Sequence, residues 1–267
     1  MKVWLVALNA YRGLVRSRAL LIFGFIVLMT FLGALGALYF ATRLSEAGAA
    51  QQSQLLFARQ IESLLDTYVV FAFILAVLTG VSVLPGEIKT GTVVPTLGRA
   101  LPRGQYLLGL FLGMNLLLGS YLGFAAVAVG ALFVWSGLWP SPHLFLGVLY
   151  AVLVAELAMG LAFLYSTRLG PVVAVIATNL TLTLPGMSEA VRLYSQVWAE
   201  RLHQFLTYLL PAWELLDYAD YLVLSRSPVP RPWHVHLLGV VHAVDYLAVL
   251  LLFAYLLFRR RSLLPPA

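Results

Sequence analysis

Glu156, His242 and Asp245 are the residues of this 267-residue chain whose types could do chemistry in an unusual place, because each falls within a long apolar stretch. A charge at the centre of a bilayer costs about 2.5–3.5 kcal/mol on insertion scales, so such groups face a bundle interior or a cavity. Asp245 has His242 one turn earlier, at i−3, within reach of a hydrogen bond. Two readings stand side by side. One is a cation or substrate contact, or a proton relay. The other is an acid satisfied by a neighbouring helix, or neutralised by desolvation. Asn179 joins them, with Thr178, Thr181 and Thr183 making a polar stripe suited to interhelix hydrogen bonding or to lining a cavity.

Other chemistries are excluded by what is missing. There is no Gly-x-x-x-x-Gly-Lys-Ser/Thr loop for nucleotide, no His-Glu-x-x-His for zinc, and no Gly-x-Ser-x-Gly nucleophile turn. There is no cysteine, which removes disulfides, thiol catalysis and thiolate metal sites. Of His143, His203, His234, His236 and His242, only the last lies in an apolar stretch. His234-x-His236 lacks a third ligand, so it reads as a solvated interfacial pair and no metal site is expected. The basic residues are scattered at the margins of apolar stretches and form no nucleic-acid patch.

The elements that must hold these groups are membrane helices. Hydrophobic residues make up 61% of the chain and charged residues 10%, with a mean hydropathy of +0.92. A soluble domain runs at about 45–50% apolar and about 25% charged. A hydrocarbon core about 30 Å thick needs roughly 20 apolar helical residues. Six stretches meet or approach that: 20–41, 68–84, 107–134, 144–165, 169–185 and 237–258. The second and fifth are short, and the fifth contains Pro171 and ends at Pro185, which suggests a broken or tilted span. The fold class expected is an all-α membrane protein with six transmembrane helices in one domain over 1–267.

Charge orients the spans. With both termini on the cytoplasmic side, that side holds Lys2, Arg12, Arg16, Arg18, Lys89, Arg99, Arg103, Arg168 and Arg259 to Arg261. These are eleven of the seventeen cations, accompanied by a single acid, Glu87. The opposite side holds six cations and eight acids. Cation bias of this kind sets topology. The N-terminal apolar run is too long for a signal peptide and no small-x-small site closes it. Residues 1–18 place Trp4, Leu8, Tyr11 and Val15 on one helical face and Lys2, Asn9, Arg12 and Arg16 on the other, the pattern of an amphipathic helix lying in the interface. An ordinary basic flank is the alternative.

Two stretches read as external. Residues 45–67 form a helical extension of the second span, with Leu55, Leu56, Ile61, Leu64 and Leu65 as its apolar stripe. Residues 188–236 carry Tyr194, Trp198, Phe205, Tyr208, Trp213, Tyr218, Tyr221 and Trp233 and end in prolines, as short interfacial helices would. Small residues recur in the spans as Gly33-x-x-Gly36, Gly109-x-x-x-Gly113 and Gly119-x-x-x-Gly123, spacings that permit close helix approach.

The polar interruption between the second and third spans stands apart. Residues 85–106 run Pro85-Gly86-Glu87-Ile88-Lys89-Thr90-Gly91-Thr92, then Arg99, then Pro102-Arg103-Gly104-Gln105-Tyr106, before the apolar Leu107-Leu108-Gly109. In its order this segment resembles that of the ABC-2 type permeases, where Glu-x-x-x-Gly-Thr and Pro-x-Ser-Arg-x-x-Tyr-x-x-Gly-Lys occupy the same place. The basic N-terminus, six spans and aromatic external stretch are similar in layout. Arg103 follows Pro102 directly, Leu110 stands where the family often has Lys, and Thr96-Leu97-Gly98 replaces a Leu-rich turn.

The resemblance implies the membrane-spanning permease subunit of an ABC transporter of the cytoplasmic (inner) membrane, an exporter and not itself an enzyme. Two permease copies, identical or similar, would form the pathway, with a cavity at the dimer interface on spans one, two and five. A cytoplasmic ABC ATPase would carry ATP and magnesium, so no cofactor is implied for this chain. Residues 85–106 would be the segment docking on that ATPase, through Glu87, Lys89, Gly91, Thr92, Arg99, Arg103 and Tyr106. Membrane lipid is the other expected partner. A lipid-facing basic loop is the plain alternative for this segment. For the whole chain the alternatives are an intramembrane protease or lipid-modifying enzyme using Glu156, His242 and Asp245, or a non-transporting maturation factor of the same fold.

Overall fold

The computed structural model of the chain describes residues 2–46, 50–91, 101–137, 140–192, 197–209, 213–216, 218–224 and 231–260. Among these all regular structure is helical. The helices are α1 (Lys2–Val15), α2 (Arg18–Glu46), α3 (Ala50–Lys89), α4 (Arg103–Ser136), α5 (Pro142–Ser166), α6 (Pro171–Arg192), α7 (Val197–Leu209) and α8 (Trp233–Arg259), with 3₁₀ turns at Trp213–Leu216 and Ala219–Tyr221. Five helices (α2, α3, α4, α5 and α8) are long and apolar enough to cross a membrane. The fifth expected span falls in α6, whose apolar part, Pro171–Leu184, is shorter. Its 14 residues rise about 21 Å.

The prolines act differently from the expectation. Pro171 opens α6, where its missing N–H leaves no bond unmade, and the helix continues past Pro185 to Arg192. Pro85 likewise lies inside α3, which runs on to Lys89. The start of the polar segment is therefore helical. The chain turns at Thr90-Gly91, where Gly91 takes a left-handed conformation with φ 73° that other residues adopt at a cost.

α3 and α5 are the centre of the bundle, and each of the other long helices packs on one of them. Their own contact is close at Gly80, where a Cβ would stand 2.6 Å from the Ala162 Cβ and 2.8 Å from the Met159 carbonyl. α2 lies on α3 and α8 on α5, each with much of its apolar surface exposed. α3 rises about 60 Å over its 40 residues, so residues 50–67 do extend the second span as one helix. Its stripe differs in part: Phe57, Ile61, Leu64 and Leu65 are buried, whereas Leu55 and Leu56 are exposed. Between α6 and α8, α7 packs on α6 while the two 3₁₀ turns sit on α5 and α8. The Leu224 N–H donates to the Glu62 carboxylate at 2.5 Å, tying this stretch to the first half of α3.

α1 buries a face other than the one its bulky residues mark. Ala7 and Ala10 are its buried residues, while Trp4, Leu5 and Val15 are exposed. The reason lies across the contact. Gly109 and Gly113 remove the side chains of α4 there, and a Cβ at those positions would stand 2.7 Å from the Val6 and Ala10 Cβ atoms respectively. Farther along, the Tyr11 and Ser120 hydroxyls share a hydrogen bond of 3.2 Å. From Gly109 to Ser120 α4 rises about 16 Å, and α1 follows it in the same direction. α1 therefore runs alongside the first part of α4.

Candidate functional site

The polar segment meets the end of α8 at one end of the bundle. Arg103, in the first turn of α4, donates from Nη1 to the Arg259 carbonyl at 2.7 Å and to the Phe258 carbonyl at 3.3 Å. The helix end leaves its last carbonyls short of i+4 partners, although the Phe258 oxygen also accepts the Arg260 N–H, and a guanidinium complements the negative end of a helix. The same guanidinium lies 5.9 Å from the Phe258 ring centroid. Tyr106 stacks on that ring at 6.4 Å, and Gly104 leaves room for Tyr255. The start of α4 is thus fastened to the end of α8 by hydrogen bonds, charge and ring packing. A basic residue in a polar loop carries no sign of this partner 155 positions away.

Glu87, in the last turn of α3, stands close enough to Tyr106 to act on its hydroxyl. The Tyr106 hydroxyl itself is buried without a well-formed hydrogen bond. Lys89, Thr90, Gly91 and Gln105 are exposed. The Thr90 hydroxyl donates back to the Gly86 and Glu87 carbonyls, at 3.1 and 3.2 Å. Thr92 and Arg99, also candidates, lie outside the described residues.

The intramembrane candidates do not converge. Glu156 points from α5 towards α4, where Asn115 is the polar group beside it. Asn115 also donates to the Phe111 carbonyl at 3.0 Å, and Glu156 Oε2 is buried without a partner. Asp245 is exposed on α8, on the side away from Ala243 and Leu250, which are buried. The His242 ring leans on the Tyr246 ring, 6.2 Å between centroids. Asn179 is exposed on α6 and donates to the Val175 carbonyl at 2.9 Å, while Thr181 bonds Tyr165 of α5 at 2.8 Å. An acid facing α4 and an acid facing outward from α8 do not form one catalytic group.

At the opposite end of the bundle, the His236 ring nitrogen Nδ1 is hydrogen-bonded to the Tyr150 hydroxyl. Tyr221 stands edge-on to both rings, and Arg231 lies over the Tyr221 ring. His236 is therefore a packing partner, and His234 is exposed. Among the described residues there is no group of three or more potential metal ligands.

An apolar crevice of about 670 Å³ opens between α4 and α5. Tyr68, Val69 and Ala72 of α3 form its floor, with Ala125 and Val129 of α4 and Leu144 of α5 as walls. Gly130 and Val134 at its mouth are exposed. Its size is that of a small-molecule site. It involves the second, third and fourth expected spans, and no periodicity signal could have located it. Comparison with models of known protein families and with characterised proteins finds no match for the chain.

Proposed function

We propose that this chain is the six-span membrane subunit of a transporter of the ABC-2 permease kind, an exporter in the cytoplasmic membrane with both termini inside. α6, carried across by its full length, would be the fifth span. A separate cytoplasmic ATPase would supply the motor, and a second permease copy would complete the pathway.

The observation that supports this reading is the joined platform at one end of the bundle. There Glu87 and Lys89 close α3, Arg103 opens α4, and the end of α8 is bound to Arg103. A force applied to a free loop would be lost in bending that loop. Applied here, it meets two membrane helices at once. The exposed Lys89, Thr90 and Gln105 offer a partner polar contacts at that point. α1 would stand on the same side, with Trp4, Leu5 and Val15 turned to lipid.

The test is purification of the full chain from its native membrane with associated proteins, followed by reconstitution and ATPase measurement. An ATPase should co-purify, and Lys89→Glu should reduce its capture and its lipid-bound activity. Recovery of the chain in active form with no nucleotide-hydrolysing partner would overturn the proposal. So would hydrolytic activity on lipid or peptide by the chain alone that Glu156→Ala abolishes.

A further inference from the structure

Asp245 stands at the middle of α8, twelve residues from Trp233 and fourteen from Arg259, and it is exposed. The α8 residues around it are apolar and equally open: Leu238, Val241, Val244 and Leu252 are each more than half exposed. A carboxylate at mid-span facing hydrocarbon is costly, and such groups almost always face protein or a water-filled cavity. Among the described residues no other helix covers it, since α8 packs on α4, α5 and the Trp213–Leu216 turn through its opposite side. Something beyond these residues must therefore cover Asp245.

The pattern along the helix points to what that is. Leu238, Val241, Asp245, Ala248 and Leu252 are all exposed and follow one another at spacings of three and four. That is the seam of a left-handed helix pair, in which one polar position fixes register. Ala248, one turn from Asp245, allows close approach. In a parallel two-fold pair, equivalent residues lie at equal depth. The axial offset between positions 242 and 245 is then only about 4.5 Å. A histidine on one copy is thus within reach of the aspartate on the other, twice over. We propose that the outward face of α8 is an interface with a second copy of this chain, in which Asp245 of each copy is hydrogen-bonded by His242 of the other. This surface is not among those the family resemblance assigns to the dimer. The inference rests only on α8 crossing a membrane, so it stands or falls separately from the transport reading.

The absence of cysteine makes the test clean. Single cysteines are placed in the full chain at Val241, Ala248 and Leu252, at the buried Ala243 and Leu250, and at the exposed Leu32 of α2. Oxidative cross-linking is then measured in native membranes. Disulfide-linked homodimers should form at 241, 248 and 252 and stay near background at the buried 243 and 250, while Leu32 reports separately on the first-span surface of the transport reading. His242→Leu, combined with Ala248→Cys, should lower the cross-linked fraction about threefold to tenfold, the span expected of one or two interhelix hydrogen bonds. Exchanging the two residues, His242→Asp together with Asp245→His, should restore it, because each aspartate again meets a histidine of the other copy. Homodimers at Leu32 with none on α8 would overturn the proposal. Cross-links from α8 only to a different polypeptide would overturn it as well, and so would a failure of the double replacement to recover.

Discussion

Replacing Arg103 with alanine removes both hydrogen bonds to the carbonyls that close α8. The 2.7 Å bond to the Arg259 oxygen is a charge-assisted contact, of a class contributing about 1.5–3 kcal/mol net. Its exposure puts it at the low end, and the 3.3 Å bond to Phe258 is long enough to add little. The contact with the Phe258 ring adds about 0.5 kcal/mol at an exposed site. Together they hold the last turn of α8 by about 2 kcal/mol, which corresponds to roughly a 30-fold change in an opening equilibrium. Hydrogen exchange of the full chain in lipid nanodiscs reads this directly. The amides of residues 255–259 should exchange about 30-fold faster in Arg103→Ala, with the amides at the centre of α5 unchanged. Arg103→Lys should fall in between, since an ammonium can satisfy one carbonyl but lacks the planar fork. If exchange at 255–259 does not change while the protein remains folded, the clasp is not a stabilising contact. Loss of ATPase coupling in that variant would then mean that Arg103 acts on the partner directly.

Other outcomes follow from the same packing. Gly113→Leu should displace α1, because its Cβ would lie 2.7 Å from both the Ala10 Cβ and the Ala7 carbonyl. The expected loss is about 1–3 kcal/mol, seen as faster proteolytic release of the N-terminal segment. Gly119→Ala, where nothing lies within 4 Å of the added carbon, should leave that release unchanged. Gly130→Phe also meets open space and places a ring at the mouth of the crevice. The variant should fold normally and lose labelling of α4 and α5 by a photoreactive acyl chain, while labelling of α2 persists. Glu156→Gln keeps the shape beside Asn115 and removes a charge, so expression and reconstituted activity should stay within about twofold. Complete loss of activity would give Glu156 a direct part in function.

What the sequence made legible follows from the physics of the bilayer. Apolar length located the long helices, because no water is available to satisfy an exposed backbone. It could not say which face of each helix turns inward. Lipid is as apolar as leucine, so buried Leu110 and Leu118 look the same in sequence as exposed Leu21 and Leu32. Bulk alone did not reveal the contact. On the face of α1 marked by Trp4, Leu8, Tyr11 and Val15, Trp4 and Val15 are exposed, while Ala7 and Ala10 owe their burial to glycines on another helix. The partner of Arg103 was not legible, since its acceptors are backbone oxygens that any residue would supply. Asp245 was recognisable as unusual, but its outward orientation depended on which side of α8 meets α5.

The clasp between Arg103 and α8 changes what a displacement of the polar hinge can do. α8 is a single helix from Trp233 to Arg259, and Asp245 lies about 21 Å from its clasped end. A shift of the first turn of α4 must either break the two Arg103 hydrogen bonds or carry the whole of α8 along as a rod. In the second case the stripe around Asp245, half-way along α8, moves with it. Movement at that end of the bundle would then arrive, without any loop to absorb it, at the surface proposed to meet a second copy.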